Sequence, residues 1–271
     1  MATISYTIGV MPTRDLLTPA QLARCRALLA LEEAPCVIQV ELGPLQAALV
    51  DSGPRALAER YLGAEERERF LAFSYPKRQA EWLGGRLAAK EAAHRFMAPA
   101  STADPNWRQW PIQQNQQGKP FIQGALPPGR KNPAISISHS GGLAVAMATG
   151  SGSCGIDLQI ITPSLHKVRE RFASVAELAL LEEPEGLRGL EPLARLGLLW
   201  TAKEAYRKAK ERTPLLGFLE MRLQRVEGKR ETGFAFEFDD NDAHPLPHNN
   251  SGPQAHATLH DRFACAITVL F

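Results

Sequence analysis

Apolar and polar residues follow two rhythms along this chain, a period of two in short runs and a period near 3.6 in longer ones. The short rhythm predicts strands over Thr3 to Val10 and Val37 to Leu42. The helical rhythm covers Leu22 to Leu31, Pro54 to Tyr61 and Ala64 to Ser74. It is strongest over Gln79 to Met97, where Leu83, Leu87 and Ala88 lie on one side. Asn106 to Gly118 is rich in Gln and Asn and predicts irregular backbone with one short strand. Ala134 to His139 and Leu143 to Thr149 read as a hairpin turned at Ser140-Gly141-Gly142.

The pattern then begins again. Cys154 to Ile160 reads as a buried strand, Leu165 to Arg171 and Val175 to Leu181 as short helices, and Pro192 to Glu211 as a long helix ended by Thr213-Pro214. Arg222 to Val226, Gly233 to Phe238 and Ala255 to Phe271 supply further strands, and Asn241 to Gly252 reads as a loop. Ala88-Ala89-Lys90-Glu91-Ala92-Ala93-His94-Arg95 echoes Thr201-Ala202-Lys203-Glu204-Ala205-Tyr206-Arg207-Lys208. The echo predicts two structurally similar halves.

Composition narrows the class. Hydrophobic content of 44% and charged content of 22% suit a soluble globular protein. A net charge of +2 gives no support to a nucleic-acid partner. Cys25, Cys36, Cys154 and Cys265 form no C-x-x-C pair, so reduced thiols in a cytoplasmic protein are expected and a zinc site is not. No basic segment followed by an apolar core suggests a signal peptide. No apolar run approaches the roughly 20 residues that span a bilayer, so no membrane partner is expected.

Three elements carry candidate chemistry. Trp200-Thr201-Ala202-Lys203-Glu204-Ala205-Tyr206-Arg207-Lys208 sets an acid between lysines, with Glu204 and Lys208 on one helical face. That arrangement suits a site where a metal and a phosphate meet; an ordinary surface helix with an i,i+4 pair is the alternative. Gly155-Ile156-Asp157-Leu158-Gln159 puts a carboxylate on an apolar strand, which is costly unless it is paired or binds a metal. Ile135-Ser136-Ile137-Ser138-His139-Ser140-Gly141 ends a strand on a histidine, a residue that is often only a structural hydrogen-bonder. It lacks the G-x-S-x-G elbow of a serine hydrolase. His244, His248, His256 and His260 are loosely spaced and interrupted by proline, which reads as a solvated loop rather than a metal site.

Taken together, and with Gly118-Lys119-Pro120 before them, these motifs resemble the 4'-phosphopantetheinyl transferases of the large, surfactin-synthetase-activating type. The resemblance runs from about Glu65 to about Leu216. It implies an α+β fold, a pseudo-dimer of two similar α/β halves. The division falls at 1–151 and 152–271, with the active site between the halves. It implies transfer of 4'-phosphopantetheine from coenzyme A to a serine of an acyl or peptidyl carrier protein, releasing adenosine 3',5'-bisphosphate. Such a reaction serves fatty acid, polyketide and nonribosomal peptide biosynthesis. A monomer is expected. A non-catalytic coenzyme A-binding or carrier-docking protein is the alternative.

The same resemblance distributes the roles. Asp157 and Glu204 become magnesium ligands, with Glu204 also the general base. Gln159 stands where many members have a third acidic ligand. Lys208 and His139 assist as catalytic residues. Lys208, Ser138 and His139 face the phosphates of coenzyme A, and Lys203 either joins them or pairs with another acid. Gly118, Lys119 and Pro120 meet its adenylate end, and Arg69 and Arg86 are first-half basic contacts, with Arg69 the 3'-phosphate candidate; the alternative for Arg86, as for Lys90, is pairing with acids across the helix surface. Glu177, within Arg171-Phe172-Ala173-Ser174-Val175-Ala176-Glu177, orients Lys203 or supports the site, or is a plain exposed helix acid.

Overall fold

The computed structural model describes residues 5–8, 11–97, 105–123, 132–150, 152–210, 214–240 and 255–270. The predicted 241–252 loop, with His244 and His248, lies outside the described residues. The chain forms two compact units, Met1–Thr18 with Pro35–Gly150, and Pro19–Ala34 with Ser151–Phe271. The chain therefore crosses between units at 18/19, 34/35 and 150/151, where the sequence suggested one boundary near 151.

The first unit contains β1 (Ser5–Ile8), β2 (Met11–Asp15), β3 (Cys36–Glu41), β6 (Ala134–Ser140) and β7 (Leu143–Thr149) in an antiparallel sheet ordered β1-β2-β3-β7-β6. The helix α5 (Pro76–Met97) lies across β3, β7 and β6. Its other side is covered by α2 (Leu42–Asp51) and α4 (Ala64–Leu71), while α3 (Gly53–Tyr61) packs against α2 and α4. Layers on both sides explain why α5 buries residues around most of its circumference. Close approach is written into its sequence: a Cβ on Gly84 would meet Leu42 Cδ2 at 2.4 Å. A small hairpin of β4 (Ile112–Gln114) and β5 (Pro120–Ile122) follows α5, and β5 packs beside β6. The Val37-to-Leu42 strand ends one residue early, because Leu42 starts a helix the short apolar period concealed.

The second unit repeats this plan. Its sheet is antiparallel and ordered β8-β12-β11-β10-β9, from β8 (Ser153–Ile160), β9 (Arg222–Lys229), β10 (Gly233–Asp239), β11 (Ala255–His260) and β12 (Phe263–Leu270). The long helix α9 (Pro192–Ala209) lies across β8, β12 and β11 as α5 does in the other unit. The run Ala255 to Phe271, read as strand, is two strands joined at Asp261-Arg262, with Asp261 at φ 49°. The helix α1 (Pro19–Leu28) belongs to this unit and packs against β10 and β11. The short helices α6 (Ser164–Val168), α7 (Val175–Leu180) and α8 (Glu185–Arg188) fill the connection from β8 to α9. Among the described residues no helix is long and apolar enough to cross a membrane. Cys25, Cys154 and Cys265 are buried free thiols, and burial raises the Cys25 thiol to about 12.

The echo between the two Lys-Glu helices extends to the atoms around them. In α5, Lys90 Nζ donates to Glu66 at 2.6 Å, to the Tyr61 carbonyl at 2.8 Å and to the Trp107 carbonyl at 3.0 Å. Glu66 in turn accepts from the backbone N–H groups of Gly63 and Ile112. In α9, Lys203 Nζ pairs with Glu177 and donates to the Phe172 carbonyl at 2.8 Å and the Phe218 carbonyl at 3.0 Å. Glu177 accepts from the backbone N–H groups of Ser174 and Leu223. Each fully buried ammonium thus joins the start of a preceding helix to the segment that follows its own helix. All its protons are used, as burial of a charge demands.

Candidate active site

The site in the second unit is set by how closely α9 approaches β8. A Cβ on Gly155 would lie 1.9 Å from the Ala205 carbonyl oxygen, so only glycine permits this crossing. Asp157 lies two residues further along β8 and projects to the same face of the strand. It is 6% exposed and stands opposite Ala266 of β12. Lys208, in the last turn of α9, donates to Asp157 Oδ1 at 2.8 Å and to the Ile156 carbonyl at 2.9 Å.

Glu204 sits one turn before Lys208. Both of its oxygens accept from Arg207 Nη2, at 2.8 and 2.9 Å. The Arg207 guanidinium lies over the Phe218 ring, 4.6 Å from its centroid. Phe218 contacts Trp200 at 4.9 Å, and Trp200 meets Phe172 edge-on at 5.0 Å. The tryptophan of the motif is thus part of an aromatic wall behind the acid. Gln159, on the Asp157 face of β8, donates its amide to the Ile160 carbonyl at 2.8 Å and retains an acceptor oxygen.

Two predicted phosphate contacts are spent elsewhere. Lys203 is fully buried, held by Glu177 and two carbonyls, and burial lowers its pKa against the opposing pull of Glu177. An ammonium without exposed surface and with every proton donated cannot meet a nucleotide. Arg86 is 6% exposed, lies over the Trp82 ring at 4.5 Å and faces Glu66 at 3.9 Å. Burial lowers its pKa to about 10. Both residues hold their own unit together.

The other first-unit candidates differ in exposure. Arg69 is exposed on α4. Ser138 is buried on β6 opposite Val145, and His139, the next residue, is exposed opposite Ala144. Gly118-Lys119-Pro120 turns β4 into β5. Gly118 takes φ 80°, a left-handed conformation natural to glycine. Asn115 organises the turn, its Oδ1 accepting from the backbone N–H groups of Gln117 and Lys119. Sequence reasoning missed Asn115 and Arg207. An Asn three residues before a Gly, and an arginine three residues after the motif's glutamate, were the available signals.

Residues 153–268, the second unit's sheet and its principal helix, match the family described as the 4'-phosphopantetheinyl transferase superfamily. A holo-(acyl-carrier-protein) synthase of Exiguobacterium sibiricum is 36% identical over 107 residues, covering 40% of this chain and 79% of that protein. The chain belongs to the 4'-phosphopantetheinyl transferase superfamily. A Synechocystis protein named "Putative 4'-phosphopantetheinyl transferase" is 30% identical over 176 residues. That alignment takes in 64% of this chain and 62% of the Synechocystis protein's length. The crystal structure of Helicobacter pylori holo-(acyl-carrier-protein) synthase with coenzyme A is 20% identical, with a TM-score of 0.36, covering 43% of this chain and 99% of that one.

Within this superfamily the donor chemistry at β8 and α9 is consistent with a hard cation. Asp157, Glu204 and the free oxygen of Gln159 are all oxygen donors, the set that magnesium favours over zinc. Among the described residues no group of three His, Cys, Asp or Glu that could hold a metal ion comes together.

Proposed function

We propose that this protein transfers 4'-phosphopantetheine from coenzyme A to a serine of an acyl or peptidyl carrier protein and releases adenosine 3',5'-bisphosphate. The observation that carries the reading is the crossing of β8 and α9 at Gly155 and Ala205. It brings Asp157 onto Lys208 with Glu204 one turn away. The carrier serine oxygen forms a bond to the β-phosphorus of coenzyme A. The bond from that phosphorus to the bridging oxygen breaks, and the bisphosphate leaves with the electron pair. Glu204 receives the serine proton, and Arg207 fixes the direction in which its carboxylate points.

Magnesium is part of the proposal. Asp157 and Glu204 would hold it, with Gln159 as a weaker neutral donor, and when bound it supplies positive charge against the pyrophosphate. Lys208 brings a further cation to the same place, a third of its side chain being exposed. Arg69, Lys119, Ser138 and His139 of the first unit are assigned to the adenylate and phosphates of coenzyme A. Arg69 serves the 3'-phosphate.

The subtype proposed is the surfactin-synthetase-activating one, a pseudo-dimer carrying two copies of one fold in a single chain and acting as a monomer. The matched networks around Lys90 and Lys203 support that duplication.

The test is mass spectrometry of apo carrier proteins, of fatty-acid and of peptide-synthetase type, after incubation with coenzyme A and magnesium. A gain of about one phosphopantetheine mass is expected. Coenzyme A binding with no mass shift on any carrier would instead make the protein a binding module.

A further inference from the structure

The two Lys-Glu helices differ at several positions, among them the third residue after the glutamate. In α5 the glutamate after the buried lysine is Glu91. The residue three further on is His94, whose ring lies edge-on to Trp107 and Trp110 at 5.9 and 5.8 Å. The residue four further on, Arg95, bonds Glu91 through its Nε and reaches Asp15 and Thr13, both at 3.2 Å, through its terminal nitrogens. The bond to Glu91 is the ordinary pairing of opposite charges one turn apart. In α9 the corresponding pair is Glu204 and Lys208, and they do not pair in this way. Arg207 stands at the intervening position and takes both oxygens of Glu204, while Lys208 reaches instead to Asp157 and the Ile156 carbonyl.

We propose that Arg207 is a positioning residue that holds Glu204 and thereby keeps Lys208 on Asp157. Three features hold Arg207 in that role. One nitrogen bridges the two carboxylate oxygens, the guanidinium rests on the Phe218 ring, and Phe218 is backed by Trp200. Its Nε is buried with no hydrogen-bond partner among the described residues, a cost that the fork and the ring contact offset. Without Arg207 the carboxylate one turn from Lys208 along α9 is Glu204; the Arg95 guanidinium spans Glu91 and Asp15 with separate nitrogens, whereas the lysine has a single nitrogen and turns onto Glu204. The acid and the lysine then neutralise each other, and the Lys208–Asp157 contact is lost.

The inference rests on the proposed transferase reaction for its kinetic arm and on geometry alone for its structural arm. Arg207→Ala and Arg207→Lys are compared with the unaltered chain. In the carrier-loading assay Arg207→Ala lowers kcat by about tenfold or more while KM for coenzyme A moves by less than about threefold. Arg207→Lys, which keeps a cation at the position, recovers most of the loss. A role limited to packing would change stability without this split or this rescue. In a crystal structure of Arg207→Ala, Lys208 Nζ is expected on Glu204 and absent from Asp157. A loading rate within about twofold of the unaltered chain, or Lys208 still on Asp157, would overturn the inference. If the unaltered chain loads no carrier, the transferase reading fails, and the crystal structure decides the role of Arg207 by itself.

Discussion

Lys208 Nζ lies 2.8 Å from Asp157 Oδ1, tying the last turn of α9 to β8 across a gap of 51 positions in the chain. The same ammonium takes the Ile156 carbonyl at 2.9 Å. A strand carboxylate that would be costly alone among Ile156, Leu158 and Cys265 is thereby satisfied. The contact also fixes where the helix presents Glu204, one turn earlier.

In the proposed reaction Glu204 takes the serine proton. Glu204→Gln keeps the shape and an acceptor oxygen but removes the charge, and carrier loading is expected to fall by about a hundredfold or more. Stability should change by no more than about 1 kcal/mol, since the pair with Arg207 is partly exposed. Loading rates and urea melts on the same preparation check both halves of this expectation.

Lys203 predicts the opposite pattern. Lys203→Met leaves Glu177 charged and buried, at a cost of about 3–5 kcal/mol. The double variant Lys203→Met/Glu177→Leu should regain only part of that, because Glu177 also accepts from the N–H groups of Ser174 and Leu223. Urea denaturation of the single and double variants measures the difference. Equal stability of Lys203→Met and the unaltered chain would remove the structural role.

Gly155→Ala tests the crossing of β8 and α9. The added methyl would lie 1.9 Å from the Ala205 carbonyl, and backbone must move to admit it. A loss of about 3 kcal/mol is expected, together with lost loading, since Asp157 and Glu204 are set by the same contact. A fully folded, fully active variant would show that the helix has room to shift.

His256 governs an acid-side limit. Burial, with a smaller push from Arg24, lowers its pKa to about 4 against an ordinary 6.5, although its Nε2 shares a hydrogen bond with the Thr232 carbonyl. Between these values the unfolded chain binds a proton that the folded chain refuses. Stability therefore falls as pH drops from about 6.5 to about 4, by up to about 3 kcal/mol. His256→Phe should flatten this part of the stability profile, measured by urea melts at stepped pH.

Much of this was legible along the chain. The hairpin at 134–149 follows from periodicity and punctuation, as do the helices read over 79–97 and 192–211, which run 76–97 and 192–209, and the strand read at 154–160, which runs 153–160. They are long or strongly alternating, so local pattern and tertiary demand agree. The α2 helix was hidden because its start abuts a strand, and Leu42 fits either period. The docking of α1 with the second unit was invisible because a helix's apolar side does not name its partner.

The sequence by itself determined the order of elements, the repeated Ala-Lys-Glu-Ala signature and the membership that its motifs announced. Spacing alone also put Glu204 and Lys208 on one face. Only the tertiary structure decided which charges are spent. The sequence left Lys203 to a phosphate or to an acid, and its ammonium is buried on Glu177; it put Lys208 on the face of Glu204, and Arg207 and Asp157 divide that pair. The reason is physical: helical spacing fixes which side chains can meet, while burial and the competing partners brought by distant segments fix which of them do.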